Sequence, residues 1–388
     1  MTALVRGARR FLGPYARNWG GWRTARKLAV IESDDWGSIR MPSRSVYEQC
    51  LAAGYPVDRT AYERYDSLLS EDDLEALFDT LTSFTDAHGR HPVLTANVIV
   101  ANPDFDAIAA SGFAHYHHEP IAETFKRYPN HGRCLELWEE GRRKGVFFPQ
   151  FHGREHLNVH LFMEALRAGD PTALFAFEHR MPGCIPKGPQ RAGNPYVEAT
   201  RFRSEAEKEA VKQAQVEGLQ MFEALFGFRS RTMIPTNYHW SSDFDQAVAA
   251  CGIEGFQGAP VMKEQLEDGT ARKVRRSLGD TNAAGQTYLT RNATFEPSQS
   301  TEPRDRAVDR CLHDIRVAFQ MGKPAIISSH RLNFCGFIDA TNRDQNLRAL
   351  RRLLDTTVRT WPGVEFVTSE QLLDVIRRDR RDASSAGR

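Results

Sequence analysis

The chain lacks any close pair of cysteines. Its six, Cys50, Cys134, Cys184, Cys251, Cys311 and Cys335, are scattered without a Cys-x-x-Cys spacing, which argues against a zinc ribbon and against the disulfide framework of a small secreted domain. An excess of either charge is missing too, since 51 Lys and Arg stand against 50 Asp and Glu. No global field favours a polyanion, and nucleic acid is not expected as a partner. Long apolar runs are also absent. No stretch approaches the ~20 residues of a transmembrane helix. The basic opening MTALVRGARRFLGPYARNWGGWRTARK, with seven Arg or Lys and no acid, lacks the apolar segment of ~7–15 residues that a secretory signal requires. These absences predict cytoplasmic residence with reduced thiols. Residues 1–26 read as a basic arm, either solvated or in peripheral contact with an anionic membrane surface. Nothing in the sequence marks an oligomeric state.

What is present is an ordinary globular composition. With 388 residues, 41% hydrophobic and 26% charged, the chain can bury a sizeable core. Short apolar runs at 27–33, 93–100, 145–151, 232–235, 252–258, 287–295, 324–330 and 364–369 read as buried strands. Between them lie segments of helical period, among them 70–88, 134–144, 204–226, 242–252 and 305–322. This alternation predicts βα units around a parallel sheet. Eight strands suit an eight-fold barrel, but the polar stretch between 258 and 287 carries no clear helix, so an incomplete or distorted barrel fits at least as well. Stretches at about 101–133 and 183–203, rich in Pro, Gly, Asn and His, read as loops inserted over one face of a single domain spanning 27–377. The tail, 378–388, reads as disordered.

Three places carry chemistry. The first is the end of the first strand, AVIESDDWGSIRMPS, where Asp34 and Asp35 precede Trp36 and Gly37. At the carboxyl end of a strand the chain turns, and both carboxylates can face the mouth, one binding a metal and the other taking a proton from water. A helix N-cap with an acidic first turn is the plain alternative. The second is FHGREHLNVHLFMEAL, with His152, His156 and His160 at four-residue steps. Two histidines four apart on a helical turn share a face and can grip one metal, Asp35 supplying a third ligand. His152–His156 and His156–His160 are equally spaced. The first pair is favoured because it lies nearest the strand end, which leaves His160 as a substrate-side residue. The third is PAIISSHRLNF, which puts His330 at another carboxyl strand end, where it can protonate a leaving amine or simply cap the strand.

The order of these pieces resembles the polysaccharide deacetylase family of carbohydrate esterases. The Asp-Asp strand end, VLTANVIV, the helix, glycine and His-x-x-x-His of CLELWEEGRRKGVFFPQFHGREH, EGLQMFEALFGFRSRTMIPTNYHW, PAIISSH and GVEFVTSEQLLDVI follow the family's sequence of motifs across residues 27–377. The resemblance implies a distorted (β/α)7 barrel and one divalent metal ion held by Asp35, His152 and His156. That ion would be Zn2+, with Co2+, Ni2+ or Mn2+ as alternatives. It also implies Asp34 as general base, His330 as general acid, and an acyl pocket shaped by Arg231 to Tyr238, including Asn237. Whether Arg229 or Arg231 corresponds to the family's arginine is open. The departures are IPTNYHW in place of Arg-Pro-Pro-Tyr, no recognisable Asp-plus-Trp motif, and about thirty residues inserted before the histidine motif. TYLTRNATFEP, with Arg291, Asn292 and Glu296, is the segment placed to stand in for the missing motif, though a plain strand and turn reads equally well. Trp36, beside the acid pair, joins the substrate-contacting set.

The expected activity is therefore metal-dependent removal of an acyl group, an N-acetyl first of all, from a carbohydrate, polysaccharide or glycolipid precursor. Two other readings compete. One is a glycoside hydrolase that pairs Asp34 or Asp35 with a second carboxylate such as Glu296. The other is a silent carbohydrate-binding barrel. AHYHHEP (114–120) offers His115 and His117 as a second metal pair, against the simpler reading of a solvated insertion touching substrate.

Overall fold

The computed structural model describes residues 13–188, 193–300 and 303–386. All eight expected strand regions are present. Among the described residues the main sheet has nine strands: β1 (Lys27–Trp36), β2 (Leu94–Ile99), β3 (Phe147–Gly153), β4 (Thr232–Met233), β5 (Gly255–Gly258), β6 (Thr287–Thr290), β7 (Ala293–Thr294), β8 (Ala325–His330) and β9 (Val364–Phe366). Their order is β6-β5-β4-β3-β2-β1-β8-β7, every pairing parallel, with β9 joined to the first residues of β1. The two end strands, β6 and β7, are successive pieces of one stretch broken at Arg291 and Asn292. The ladder thus comes round on itself as a distorted (β/α)7 barrel of seven staves, β6 and β7 sharing one. The polar segment after β5 holds no helix. It forms the antiparallel pair Val261–Gln265 and Ala271–Arg275, which is why an eighth βα unit is missing.

Side chains inside the barrel fall into layers, because alternate residues of each strand face the axis. At the base, Leu28, Val30, Leu289 and Ile326 pack against Leu372, Leu373 and Ile376 of the closing helix Ser369–Ala386. Above this apolar plug the interior is polar: Glu32, Thr95, Asn97, Gln150, Thr232, Gln257 and Arg291 are all buried. Many of them bond one another, as in Asn97 Nδ2 donating to Gln257 Oε1 at 2.8 Å and Thr232 Oγ1 donating to Gln150 Oε1 at 2.7 Å. The larger apolar core lies outside, between strands and helices, and includes Ile31, Leu94, Phe147 and Phe151.

One close approach sets the position of β3. The helix Glu205–Phe226 lies against that strand at Gly218, where a Cβ would stand 2.8 Å from Phe151 Cζ and 3.0 Å from Arg154 Cα. Glycine there lets a 22-residue helix back directly onto the strand that carries His152.

Both chain ends differ from expectation. Residues 13–26 are not a free arm: Trp22 N–H donates to Leu278 O at 2.7 Å, and the buried Lys323 ammonium donates to the carbonyls of Gly20, Gly21 and Trp22. A buried ammonium needs such acceptors, and only the returning chain supplies them. Residues 1–12 lie outside the described residues. The tail is helical to Ala386 rather than disordered, since the amphipathic closing helix continues past its docked face. All six cysteines are free thiols, and no helix among the described residues is long and apolar enough to cross a membrane.

Candidate metal centre

The acid pair owes its geometry to a break in β1. Pairing with β2 shifts register between Ser33 and Trp36, and Asp35 sits at φ 73°, a left-handed conformation that costs a non-glycine residue energy. The kink undoes the alternation that would send adjacent side chains to opposite faces. Asp34 and Asp35 both line the cleft at the carboxyl end of the barrel. Asp34 lies opposite His330 in the β1–β8 register.

His152 is the penultimate residue of β3, but His156 lies on the loop that follows it, before the helix Val159–Arg167. The expected helical turn is thus replaced by a strand end and a bend, which bring the two rings to 5.3 Å between centroids. Of the two equally spaced pairs, His152 and His156 meet. Their Nε2 atoms lie 3.2 and 3.4 Å from Asp35 Oδ1. These three form the one group of three ligand side chains gathered among the described residues, their donor atoms within 4.8 Å of one another. No comparable group forms at His115 and His117.

The donor chemistry suits a cation. His152 Nδ1 lies 2.8 Å from Ile234 O, so this nitrogen donates to the carbonyl and Nε2 is the ring nitrogen turned toward the Asp35 carboxylate. Burial pushes His156 down to about 3 against the pull of Asp35, so its ring is neutral near pH 7, and its buried Nδ1 has no partner. Burial opposes ionisation of Asp35, yet the positive field of its neighbours, Arg40 among them, outweighs burial and holds the carboxyl well below its ordinary range. Three lone-pair donors facing one point repel unless a positive charge lies between them, and an N2O set is one that Zn2+ and its neighbours accept.

Asp34 is built differently. Arg291 forks onto it at 2.7 and 2.6 Å, and Asn97 Nδ2 donates to Oδ1 at 2.7 Å. Burial alone would raise its pKa, but Arg291 outweighs burial and brings it down to about 2. With Oδ1 taking two donors and Oδ2 only one, the free lone pair of Oδ2 is the one left for the cleft.

His330 Nε2 stands 3.7 Å from Asp34 Oδ2, while its Nδ1 meets Glu296 Oε1 at 2.5 Å. Burial would lower this imidazole, but the contact and charge of Glu296 raise it to about 10. A folded-state pKa above the unfolded value adds stability that is complete below about pH 6.5 and is lost as pH rises through about 10. Glu296→Gln removes the main upward pull. NMR titration of the His330 ring in the metal-free protein should show its midpoint moving several tenths of a unit or more toward neutrality, and an unmoved midpoint would refute the assignment.

The remaining expected residues separate cleanly. Asn237 and Tyr238 line the cleft, both left-handed at φ 53° and 55°, and Tyr238 Oη accepts from Arg291 at 3.2 Å. Arg291 lies beneath the cleft, behind Asp34. Four residues need correcting. Arg231 precedes β4 at the other end of the barrel, held by Glu254, Glu370 and Asp374 at 3.0, 3.0 and 2.7 Å; those acids fix it far from the mouth. Asn292 is buried in bonds to Asn18, Pro324 O and Ile326 N. Trp36 is core, edge-on to Phe147 at 4.9 Å. His160 sits half-buried on the helix after the loop, outside the cleft wall, because the chain turns away beyond His156.

Residues not foreseen complete the cleft, which encloses about 440 Å³. Arg40 lies 3.5 Å from Asp35 Oδ2 and 3.5 Å from the buried Asp66. Tyr62 packs edge-on against His330 at 5.4 Å. Burial pushes Glu63 up to about 7 against Arg40. Arg40, five residues after Asp35, was the one with a usable signal; Tyr62 and Glu63 lie on the short helix Ala61–Tyr65, which no motif marked.

No protein-family model matches the chain, and no curated protein matches it. Solved structures do. A candidate glycoside hydrolase/deacetylase from Parabacteroides distasonis is 10% identical, with a TM-score of 0.51 over 92% of this chain and 73% of that one. A probable polysaccharide deacetylase from Pseudomonas aeruginosa PAO1 is 12% identical, with a TM-score of 0.47 over 91% and 92% of the two chains. A candidate polysaccharide deacetylase from Mycobacterium smegmatis is 11% identical, with a TM-score of 0.44 over 93% and 94%. At these identities the likeness is one of fold, carried by the first of the three.

Proposed function

We propose that the protein is a metal-dependent hydrolase that removes an acyl group, an N-acetyl first of all, from a carbohydrate or glycolipid. The observation that carries this reading is the meeting, in one cleft, of a buried Asp35, His152 and His156 set with an ionised carboxylate and a protonated imidazole that stand 3.7 Å apart on adjacent strands. The name of the Parabacteroides distasonis protein that shares the fold, a candidate glycoside hydrolase/deacetylase, agrees with a carbohydrate substrate.

A divalent cation on Asp35, His152 and His156 would supply Lewis acidity toward water and the acyl carbonyl. The chain's own groups do the rest. Asp34 Oδ2, ionised at all but strongly acid pH, accepts a proton from the attacking water. Arg291 and Asn97 hold that carboxylate still. His330, kept protonated by Glu296 behind it, donates its Nε2 proton to the departing amine as the carbon–nitrogen bond breaks. Proton transfers by positioned groups of this kind are commonly worth ~10²–10⁴ in rate.

The hydrolase alternative needs a second carboxylate free to flank a glycosidic bond. Glu296, the partner expected for that role, is committed to His330 at 2.5 Å and to Asn333 at 2.8 Å, which weighs against that pairing. The test is acetate release from a panel of N-acetylated oligosaccharides and lipid-linked sugars, with zinc or cobalt added and after chelation. Metal-dependent acetate is the expected result; shortened glycans formed without acetate and indifferent to chelation would sink the reading.

A further inference from the structure

The interior of the barrel contains a charge that the chemistry above does not use. Glu32 lies two residues before Asp34 on β1, so both side chains face the axis, and it is fully buried. Its Oε2 accepts from Arg291 Nε at 2.6 Å. Its Oε1 accepts from Ser369 Oγ at 2.7 Å. Ser369 opens the closing helix, and its backbone N–H donates to Thr95 Oγ1 on β2 at 3.0 Å. Arg291 is therefore gripped from below at Nε and presents its fork upward, to Asp34 through both terminal nitrogens and to Tyr238 Oη through one.

Stability alone does not account for this arrangement. Two carboxyl groups and one guanidinium, all nearly sealed from water, are costly to bury, and apolar side chains of similar volume commonly serve a core as well or better. What the charges supply is direction. A guanidinium has five donors in a rigid plane, so fixing Nε fixes where the other two nitrogens point.

We infer that Glu32, backed by Ser369, is a positioning residue: it sets the Arg291 fork and through it aims Asp34 Oδ2 at the cleft. The inference rests on the deacylase reading for its kinetic consequence, though not for its geometry. Misplacing a reacting group by about 1 Å can cost ~10²-fold in rate. Glu32→Ala, which abolishes the grip, should lower kcat by about that factor. Glu32→Gln keeps the reach and an accepting oxygen but replaces a charge-assisted bond with one roughly half as strong, and should lose about three- to ten-fold. Ser369→Ala should lose a few-fold. In all three, KM and metal affinity should stay within about two-fold of the parent, since none of these groups reaches substrate or metal ligand.

The experiment measures kcat, KM, zinc affinity and melting temperature for the three variants, together with the 15N-edited NMR signal of the Arg291 Nε–H, assigned by its loss in Arg291→Lys. Glu32→Gln converts the buried cluster to a neutral pair, so it should fold even if Glu32→Ala does not. The graded loss of kcat at constant KM, with the Nε–H signal moved upfield in Glu32→Gln, supports the inference. A folded Glu32→Gln with parental kcat and an unmoved Nε–H signal overturns it, as does a kcat loss that tracks a fall in zinc affinity. If the parent protein releases no acyl group from any substrate, the functional reading fails, and the NMR signal still decides whether Glu32 grips Arg291.

Discussion

Replacing His156 by alanine should abolish metal-dependent turnover and also the thermal stabilisation that the ion confers. His156 is one of three donors, and its ring is already neutral, so the folded protein offers its lone pair at no protonation cost near pH 7. Two ligands remain in the variant, and catalytic sites of this type use three. An ion that binds the folded state and not the unfolded one stabilises by about 2.7 kcal/mol at a hundredfold excess over its dissociation constant. The parent protein should therefore melt several degrees higher with zinc than after chelation. His156→Ala should melt at the same temperature in both conditions. Its metal-free melting point should differ from the parent's only by the packing lost around a small buried cavity. Calorimetry with and without zinc gives both numbers. If the variant keeps the zinc-dependent shift, the Asp35, His152 and His156 set does not hold the ion.

Much of this arrangement was legible in the sequence because it rests on short-range signals. Apolar runs of the right length found the strand regions, and the carboxyl strand ends found Asp34, Asp35, His152 and His330, since in a parallel barrel those ends are where side chains reach the cleft. The nearer histidine pair followed from its distance to a strand end, although a bend and not a helical turn brings the rings together. Where the sequence misled, the deciding contacts are long in sequence. Arg231 looked like the arginine of the acyl pocket from its place in a motif, yet Glu254, Glu370 and Asp374 gather it at the opposite end of the barrel. Arg291 holds Asp34 from 257 residues away. Only the closing of the ring, which places the break between β6 and β7 beside β8, reveals that partnership. Trp36 could be assigned to the core only once Phe147 and Trp138 were seen around it. The plug beneath the polar layer depends likewise on the closing helix folding back over Leu28 and Val30.

Asp34→Asn should reduce kcat by ~10²–10⁴ while leaving zinc affinity close to parental. The substitution keeps the shape of the side chain and an oxygen to accept from Arg291, but removes the basic lone pair. It also leaves Glu32 and Arg291 as a balanced buried pair, so no uncompensated charge is created in the barrel. The sign of the pH dependence follows from the same contacts. Arg291 holds the Asp34 carboxyl at about 2, below its unfolded value of 3.8, so the group contributes stability that is fully present above about pH 4 and is lost as pH falls through about 2. Between pH 5 and 8 the parent thus gains nothing in proton-accepting form as pH rises, and a collapse of turnover in Asp34→Asn across that whole window, with zinc still bound, would be a loss of chemistry and not of fold. The decisive measurements are single-turnover acyl release and zinc titration on one preparation of the variant. A variant that binds zinc and still turns over within tenfold of the parent would remove Asp34 from the role of base, and attention would pass to Glu63, which burial pushes up to about 7 on the same cleft wall.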